Sequence, residues 1–247
     1  MNNDKILTRL TPRAIAQRFT GSVWLTVLCA ALVLSAGLTM FGGLQDISSK
    51  IAGVGVVTVV FNAMYALAAI YLTYRLMGLR GMADKDKCRR AQTAALVMFI
   101  VLLATVAFLA MFYYTNYTVL SPLTAEQLVE AGLTQEDVDG MWALLPYLIL
   151  SMVTSALETA AMALFWQTIK RVGILCGGRK TSRGVLVACT IVALLAVGME
   201  LCMMIVNIRV QPNTVYAVLS LISSLPGAAV YVSIAVLAKQ LAADLQA

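Results

Sequence analysis

The chain contains no histidine. Histidine-dependent nucleophiles, histidine-ligated zinc or haem, and imidazole proton relays are therefore excluded within it. Neither G-x-x-x-x-G-K-[ST] nor G-x-G-x-x-G occurs, so a nucleotide site of its own is unsupported. The five cysteines include no C-x-x-C pair, and none falls in a predicted external loop, which disfavours a structural metal and disulfides. The sequence accordingly predicts neither a cofactor nor an enzyme.

Charge is also scarce, and apolar residues are abundant. Only 12% of the 247 residues are charged, 61% are hydrophobic, and the mean hydropathy is +0.87. About 20 apolar residues in a helix cover the hydrocarbon core of a bilayer. Six stretches without lysine or arginine reach that length, and we predict an all-α, polytopic integral membrane protein with six transmembrane helices: Gly21–Phe41, Ile51–Tyr74, Ala91–Tyr114, Met141–Ile169, Gly184–Ile208 and Thr214–Ala238.

The distribution of basic residues predicts the orientation. Of the 18 lysines and arginines, all but Lys50 and Arg209 fall in segments that the six crossings place on one side. Short cytoplasmic segments carry such an excess, so both termini are expected in the cytoplasm and the chain in the plasma membrane. The net charge of +6 then reflects topology and attraction to anionic lipid, and we expect no nucleic-acid partner.

The chain is expected to form a single membrane domain over residues 1–247, preceded by no cleaved signal peptide. Residues 1–20 are predicted to be a cytoplasmic, amphipathic N-terminus. Within them, Thr11 and Pro12 supply a cap and a first-turn proline for a short helix, Pro12–Phe19, at the membrane interface.

The six helices are predicted to form three helical hairpins. Similar segments, Leu38–Phe41, Leu109–Phe112 and Leu201–Met204, recur near the outer ends of the odd-numbered crossings. A duplication would explain this recurrence. Bilayer thickness alone also forces similar lengths, so both explanations remain open.

The segment between the third and fourth crossings, residues 115–140, is predicted to be an external, acidic, helical insertion. It contains five acidic residues and no basic one. Thr124 and Thr134 are each placed to cap a helix. A solvated lid between two crossings is the favoured interpretation, and an acidic docking surface or weak cation collector is the alternative.

Polar residues at membrane depth identify the candidate site. On the even-numbered crossings and the fifth, they recur at helical spacing on one face, which predicts a polar central lining. Glu158 and Glu200 have no lysine or arginine at that depth to neutralise them, so protonation near neutral pH is expected. The predicted substrate or ion pathway comprises Asn62, Thr154, Ser155, Glu158, Glu200, Ser223 and Ser224. The alternative is that the two acids only hold helices together.

Two further features concern the helices themselves. Pro226 and Gly227 interrupt the sixth crossing, which predicts a kink that serves either as a hinge beside the pathway or as a structural bend. Small residues at positions 151, 155, 159 and 163 predict close packing within the bundle first and an oligomer face second.

Together these features predict a transporter-like protein or permease subunit for a small solute or cation. The lipid bilayer is its first partner, and the missing nucleotide motif is compatible with a membrane or ATPase partner subunit. The competing hypothesis is a non-catalytic membrane scaffold or regulatory subunit whose polar residues only support packing and partner contact.

Overall fold

A computed structural model describes residues 10–47, 52–120, 127, 130, 134–210 and 214–246. All regular secondary structure in that part of the chain is helical. The helices are α1 (Pro12–Gly21), α2 (Val23–Ile47), α3 (Ala52–Leu79), α4 (Lys85–Leu120), α5 (Gln135–Cys176), α6 (Gly184–Val210) and α7 (Thr214–Asp244). Each of α2 to α7 contains a segment long and apolar enough to cross a membrane. The all-α prediction with six apolar spans is confirmed to that extent.

The six long helices form a closed ring. Each packs against the next along the chain from α2 to α7, and α7 packs against α2. The three pairs expected as hairpins are in contact, but so are the helices on either side of each pair. The grouping into hairpins and the duplication therefore stay predictions.

The third and fourth spans are longer than the sequence analysis expected. α4 continues to Leu120, and α5 begins at Gln135, so both ends of the predicted insertion belong to long helices. Glu136, Asp137 and Asp139 occupy the first turns of α5 and not a separate helix. No strong helix breaker interrupts this start, because Gly140 costs a helix only about 1 kcal/mol. Residues 121–126, 128–129 and 131–133, including Thr124, lie outside the described part.

The predicted N-terminal helix is present, and its apolar side packs on protein. The Thr11 side chain accepts a hydrogen bond from the Ala14 amide, and Pro12 occupies the first turn. Ile15, Ala16 and Phe19 are buried, and α1 contacts α2, α5 and α7. The helix is therefore docked against the bundle.

One end of the bundle is rich in basic residues. It consists of α1, residues 80–84, residues 177–183 and the C-terminal end of α7, and we call it the basic end. The Gly81 amide donates to the Thr20 carbonyl across 3.0 Å, and Arg18 pairs with Asp244 at 3.2 Å. The first contact joins α1 to residues 80–84, and the second places α1 beside the end of α7.

The apolar core lies in the half of the bundle nearest the basic end. Its largest fully buried side chains come from four of the long helices and are Leu25, Leu28, Leu32, Leu72, Leu76, Leu79, Met98, Met162, Phe165, Ile169 and Leu175. Large apolar side chains such as Leu67, Ile100 and Leu194 are exposed on the outside of the ring. The ring is therefore packed inside and apolar outside, as lipid requires.

Removing a buried side chain of α1 should destabilise this end of the bundle. Phe19→Ala removes a buried ring, so we expect the free energy of unfolding to fall by about 3 kcal/mol. The control is Gln17→Ala, which changes an exposed side chain of the same helix. Thermal unfolding of each purified variant in detergent micelles measures the change in stability. Equal melting temperatures for the two variants would contradict the docking of α1.

Candidate functional site

A polar cavity of about 290 Å³ lies inside the ring, and all six long helices line it. We call it the central cavity. Its lining residues are Ser35 and Thr39 from α2, Phe61, Asn62 and Tyr65 from α3, Leu102 and Thr105 from α4, Ser155 and Glu158 from α5, Glu200 from α6, and Ser224, Gly227 and Tyr231 from α7. No lysine or arginine is among them.

The lining residues lie at one level of the bundle. At 1.5 Å per residue, Asn62, Glu158, Glu200 and Gly227 are each about 25 Å from the basic-end terminus of their own helix. Towards the basic end the interior is closed, because the fully buried Leu32, Met162 and Phe165 follow within about two turns. The central cavity therefore ends, on the side of the basic end, at a closely packed apolar core.

Two carboxyl groups meet in this cavity. The carboxyl groups of Glu158 and Glu200 both line it and lie close enough to interact directly. Two ionised carboxylates at such close range repel each other, and a proton held between them would replace that repulsion with a hydrogen bond. We expect the pair to share one proton in this way and to carry a single negative charge.

Hydroxyl and amide groups surround the acid pair. The hydroxyls of Ser35 and Tyr65 are 2.9 Å apart and bonded to each other, and the Asn62 side-chain amide donates to the Thr39 carbonyl at 3.2 Å. The Tyr231 side chain is buried and lines the same cavity. Most polar atoms here are oxygens, which are the ligands that hard cations prefer.

Gly227 gives the Glu200 carboxyl its space. A Cβ atom placed on Gly227 would lie 3.0 Å from Glu200 Oε1 and 3.7 Å from its Cδ. Any larger residue would push the carboxyl away from this position. The glycine of the predicted hinge thus has a definite steric role beside the acid pair.

The structure brings most of the predicted site residues together. Asn62, Ser155, Glu158, Glu200 and Ser224 all line the central cavity. Thr154 is the exception, since it is buried and its hydroxyl donates to the carbonyl of Leu150 in its own helix at 2.9 Å. The side chain of Ser223 lies outside the described part. Pro226 is within α7, which continues as one helix through it.

Other lining residues were missed by the sequence analysis. Ser35, Thr39 and Thr105 come from α2 and α4, where isolated hydroxyl residues form no clear stripe. Tyr65 and Tyr231 do lie on the inward stripes of their helices, but they were not included in the predicted pathway. Their position on those stripes was the available signal.

The small-residue ladder of α5 faces the interior. Ser155 lines the central cavity, and Thr159 is buried with its hydroxyl donating to the Ser155 carbonyl at 2.7 Å. This placement agrees with close packing inside one bundle. An oligomer contact through this face stays a prediction.

The arrangement can hold a proton or a cation. Two carboxyls that share one proton can release it and present two negative charges to an incoming cation. Among the described residues there is no cluster of three or more histidine, cysteine or acidic side chains, so any cation here would rely on the two acids with hydroxyl and amide oxygens. Comparison of this chain with protein-family models, with curated proteins and with solved structures finds no match.

Replacing Gly227 should disturb the acid pair without unfolding the protein. In Gly227→Ala the added methyl group displaces the Glu200 carboxyl, so we expect the infrared band of the protonated carboxyl to shift. Gly198→Ala is the matched control, because it lies on α6 and a Cβ there meets nothing within 4 Å. The control should leave the band unchanged and keep or raise the melting temperature. An unchanged band in Gly227→Ala would refute the contact.

Proposed function

We propose that this chain is a transporter-like membrane protein or permease subunit for a small solute or cation. The observation that carries the proposal is the acid pair in the central cavity. Glu158 and Glu200 share a polar space that all six long helices line, and none of the described residues that line it is basic. Ionisable groups at membrane depth are costly, and in membrane proteins they commonly mark an ion or proton path.

The charge of the cavity favours cations. Among the described lining residues, the ionisable side chains are the two acids and the phenols of Tyr65 and Tyr231. An anion would meet the negative charge of the pair with nothing to compensate it, whereas a cation that enters replaces the shared proton. Exchange of a proton for a cation is the simplest cycle for this geometry. A volume of about 290 Å³ holds a hydrated ion or a small organic solute.

Passage towards the basic end requires a conformational change, because the apolar core closes that half. α7 is the helix we expect to move. Pro226 removes one backbone hydrogen bond inside it. The next residue, Gly227, leaves room for the Glu200 carboxyl, since a Cβ atom there would lie 3.0 Å from Glu200 Oε1. A change in the charge or position of that carboxyl therefore acts on α7 next to the position where the helix lacks a backbone hydrogen bond.

A scaffold or regulatory subunit is the second candidate. The bond between Glu158 and Glu200 is also what a packing role would produce, since a neutral acid can join two helices. The two functions differ in one respect. A packing role needs the hydrogen bond alone, whereas transport needs a group that gains and loses its proton.

Substitution of Glu158 separates these candidates. In proteoliposomes with an imposed sodium or potassium gradient, we expect proton flux in the unmodified protein and a flux at least about tenfold lower in Glu158→Gln. Glu130→Gln is the control, because it makes the same change at an exposed position outside the cavity. Choline chloride gradients correct for leakage.

A packing role predicts a different pattern. Glu158→Gln would then behave like Glu130→Gln, and Glu158→Leu would lower only the melting temperature. Absence of cation-dependent proton flux in the unmodified protein, with either salt, would contradict the exchange cycle.

We also propose that the chain resides in the plasma membrane with the basic end in the cytoplasm. The support is the positive-inside rule, together with the position of α1 and the end of α7 at the same end of the bundle. A membrane or ATPase subunit would provide the energy source if the cation cycle does not.

The orientation can be tested with alkaline phosphatase, which needs disulfides and is inactive in a bacterial cytoplasm. A fusion at the C-terminus should be inactive, and a fusion after Gln127 should be active. The reverse pattern would overturn the orientation, and equal activities would contradict placement of these two sites on opposite sides.

A further inference from the structure

A second cavity, of about 620 Å³, lies at the basic end between the start of α4 and the end of α5. We call it the basic cavity. Four basic side chains line it, two from each side: Lys85 and Arg89 from α4, and Lys170 and Arg179 from α5 and the residues after it. One acid, Asp86, is also present. The volume is within the range of about 300–1,000 Å³ that is usual for small-ligand pockets.

The four basic side chains have no partner among the described residues. The ion pair that the described residues do form joins Arg18 to Asp244, outside this cavity. Other arginines of the bundle are used internally, since Arg171 donates to Thr181 and Ser182 and Arg75 lies over the ring of Tyr71 at 5.1 Å. All four residues are exposed, so water solvates their charges when no anion is bound. An anion in the cavity would meet positive charge from both sides.

The backbone around the basic cavity suits an anion as well. α4 begins at Lys85, so the positive end of its dipole is near the cavity. The Asp84 carboxylate accepts a hydrogen bond from the Asp86 amide there at 2.8 Å, so the other amides of the first turn remain for an anion. The carbonyls at the end of α5 are occupied, because the amides of Gly177, Gly178 and Arg179 bond back to the last turns. Gly173 lets the two helices approach, since a Cβ on it would lie 3.3 Å from Cys88 Cβ.

The basic cavity lies at the boundary of the apolar spans. The hydrophobic stretches that the sequence predicts for these two helices begin at Ala91 and end at Ile169. The lining residues 85–92 and 169–179 are therefore at the level where lipid phosphates are found. Arginine and lysine are the residues that bind phosphate groups by charge-assisted hydrogen bonds.

We propose that the basic cavity is a binding site for the phosphate group of an organic anion, presented either by an anionic phospholipid or by a soluble phosphate ester. The site is separate from the central cavity and does not depend on the transport proposal. An anion bound here would join the start of α4 to the end of α5.

The test uses a double variant and a matched control. Lys85→Gln with Lys170→Gln removes two charges from the basic cavity. Lys87→Gln with Lys180→Gln removes the same number of charges from the same end, and both of its residues line other cavities. At about 1 kcal/mol per basic residue, the first pair should weaken binding about 30-fold and the control pair should have little effect.

Two binding experiments distinguish a phospholipid headgroup from a soluble phosphate ester as the ligand. Native mass spectrometry measures retention of phosphatidylglycerol by the full chain, with phosphatidylcholine as the neutral reference. Thermal shifts with glycerol 3-phosphate measure the soluble arm, with inorganic phosphate as the small-anion reference. Loss of phosphatidylglycerol only in the first double variant supports a lipid headgroup, and loss of the glycerol 3-phosphate shift only in that variant supports a soluble ester.

Three outcomes would overturn the proposal. They are no binding in either arm, equal losses in both double variants, and binding of phosphatidylcholine as strong as that of phosphatidylglycerol. Melting temperatures in phosphatidylcholine alone confirm that each variant is folded. A Lys85→Arg with Lys170→Arg variant should retain binding, because it keeps the charges, and loss of binding in it would argue against a charge-based site.

Discussion

In a hydrocarbon environment every polar group must find its partner inside the protein, and this constraint organises the whole bundle. Short hydroxyl side chains meet it locally, by donating to the carbonyl one turn earlier in their own helix, as Thr154, Thr168, Thr190 and Ser233 do. The Glu158 side chain is longer and reaches beyond its own helix. Its carboxyl lies beside that of Glu200 on the next helix, inside the cavity that the ring encloses.

The same constraint divides the bundle into two halves with different roles. Near the basic end, leucine, methionine and isoleucine side chains together with Phe165 fill the interior and supply most of the packing. Beyond that core the lining becomes polar and leaves the central cavity open. A packed half holds the helices in register while a less filled half retains freedom to rearrange, since local stability follows the density of apolar contacts.

Much of the architecture could be read from hydropathy and helical periodicity. The six apolar spans were found, and the inward faces of the helices were assigned well enough that five predicted pathway residues line one cavity. The helices next to the acidic segment continue beyond the predicted crossings, because hydropathy marks where apolar residues end and not where helical hydrogen bonding ends. α4 and α5 extend beyond their apolar stretches with polar residues.

The sequence by itself determined that the chain forms apolar rods, which face of four of these rods is polar, and which end is basic, because all three follow from residue type and a period of 3.6. Only the tertiary structure decided that α7 closes the ring against α2, that Glu158 meets Glu200, and that Lys85 and Lys170 line the same cavity. The reason is physical. Contacts between residues far apart in the chain depend on how each helix is rotated and tilted against its neighbours, and side-chain packing sets those angles.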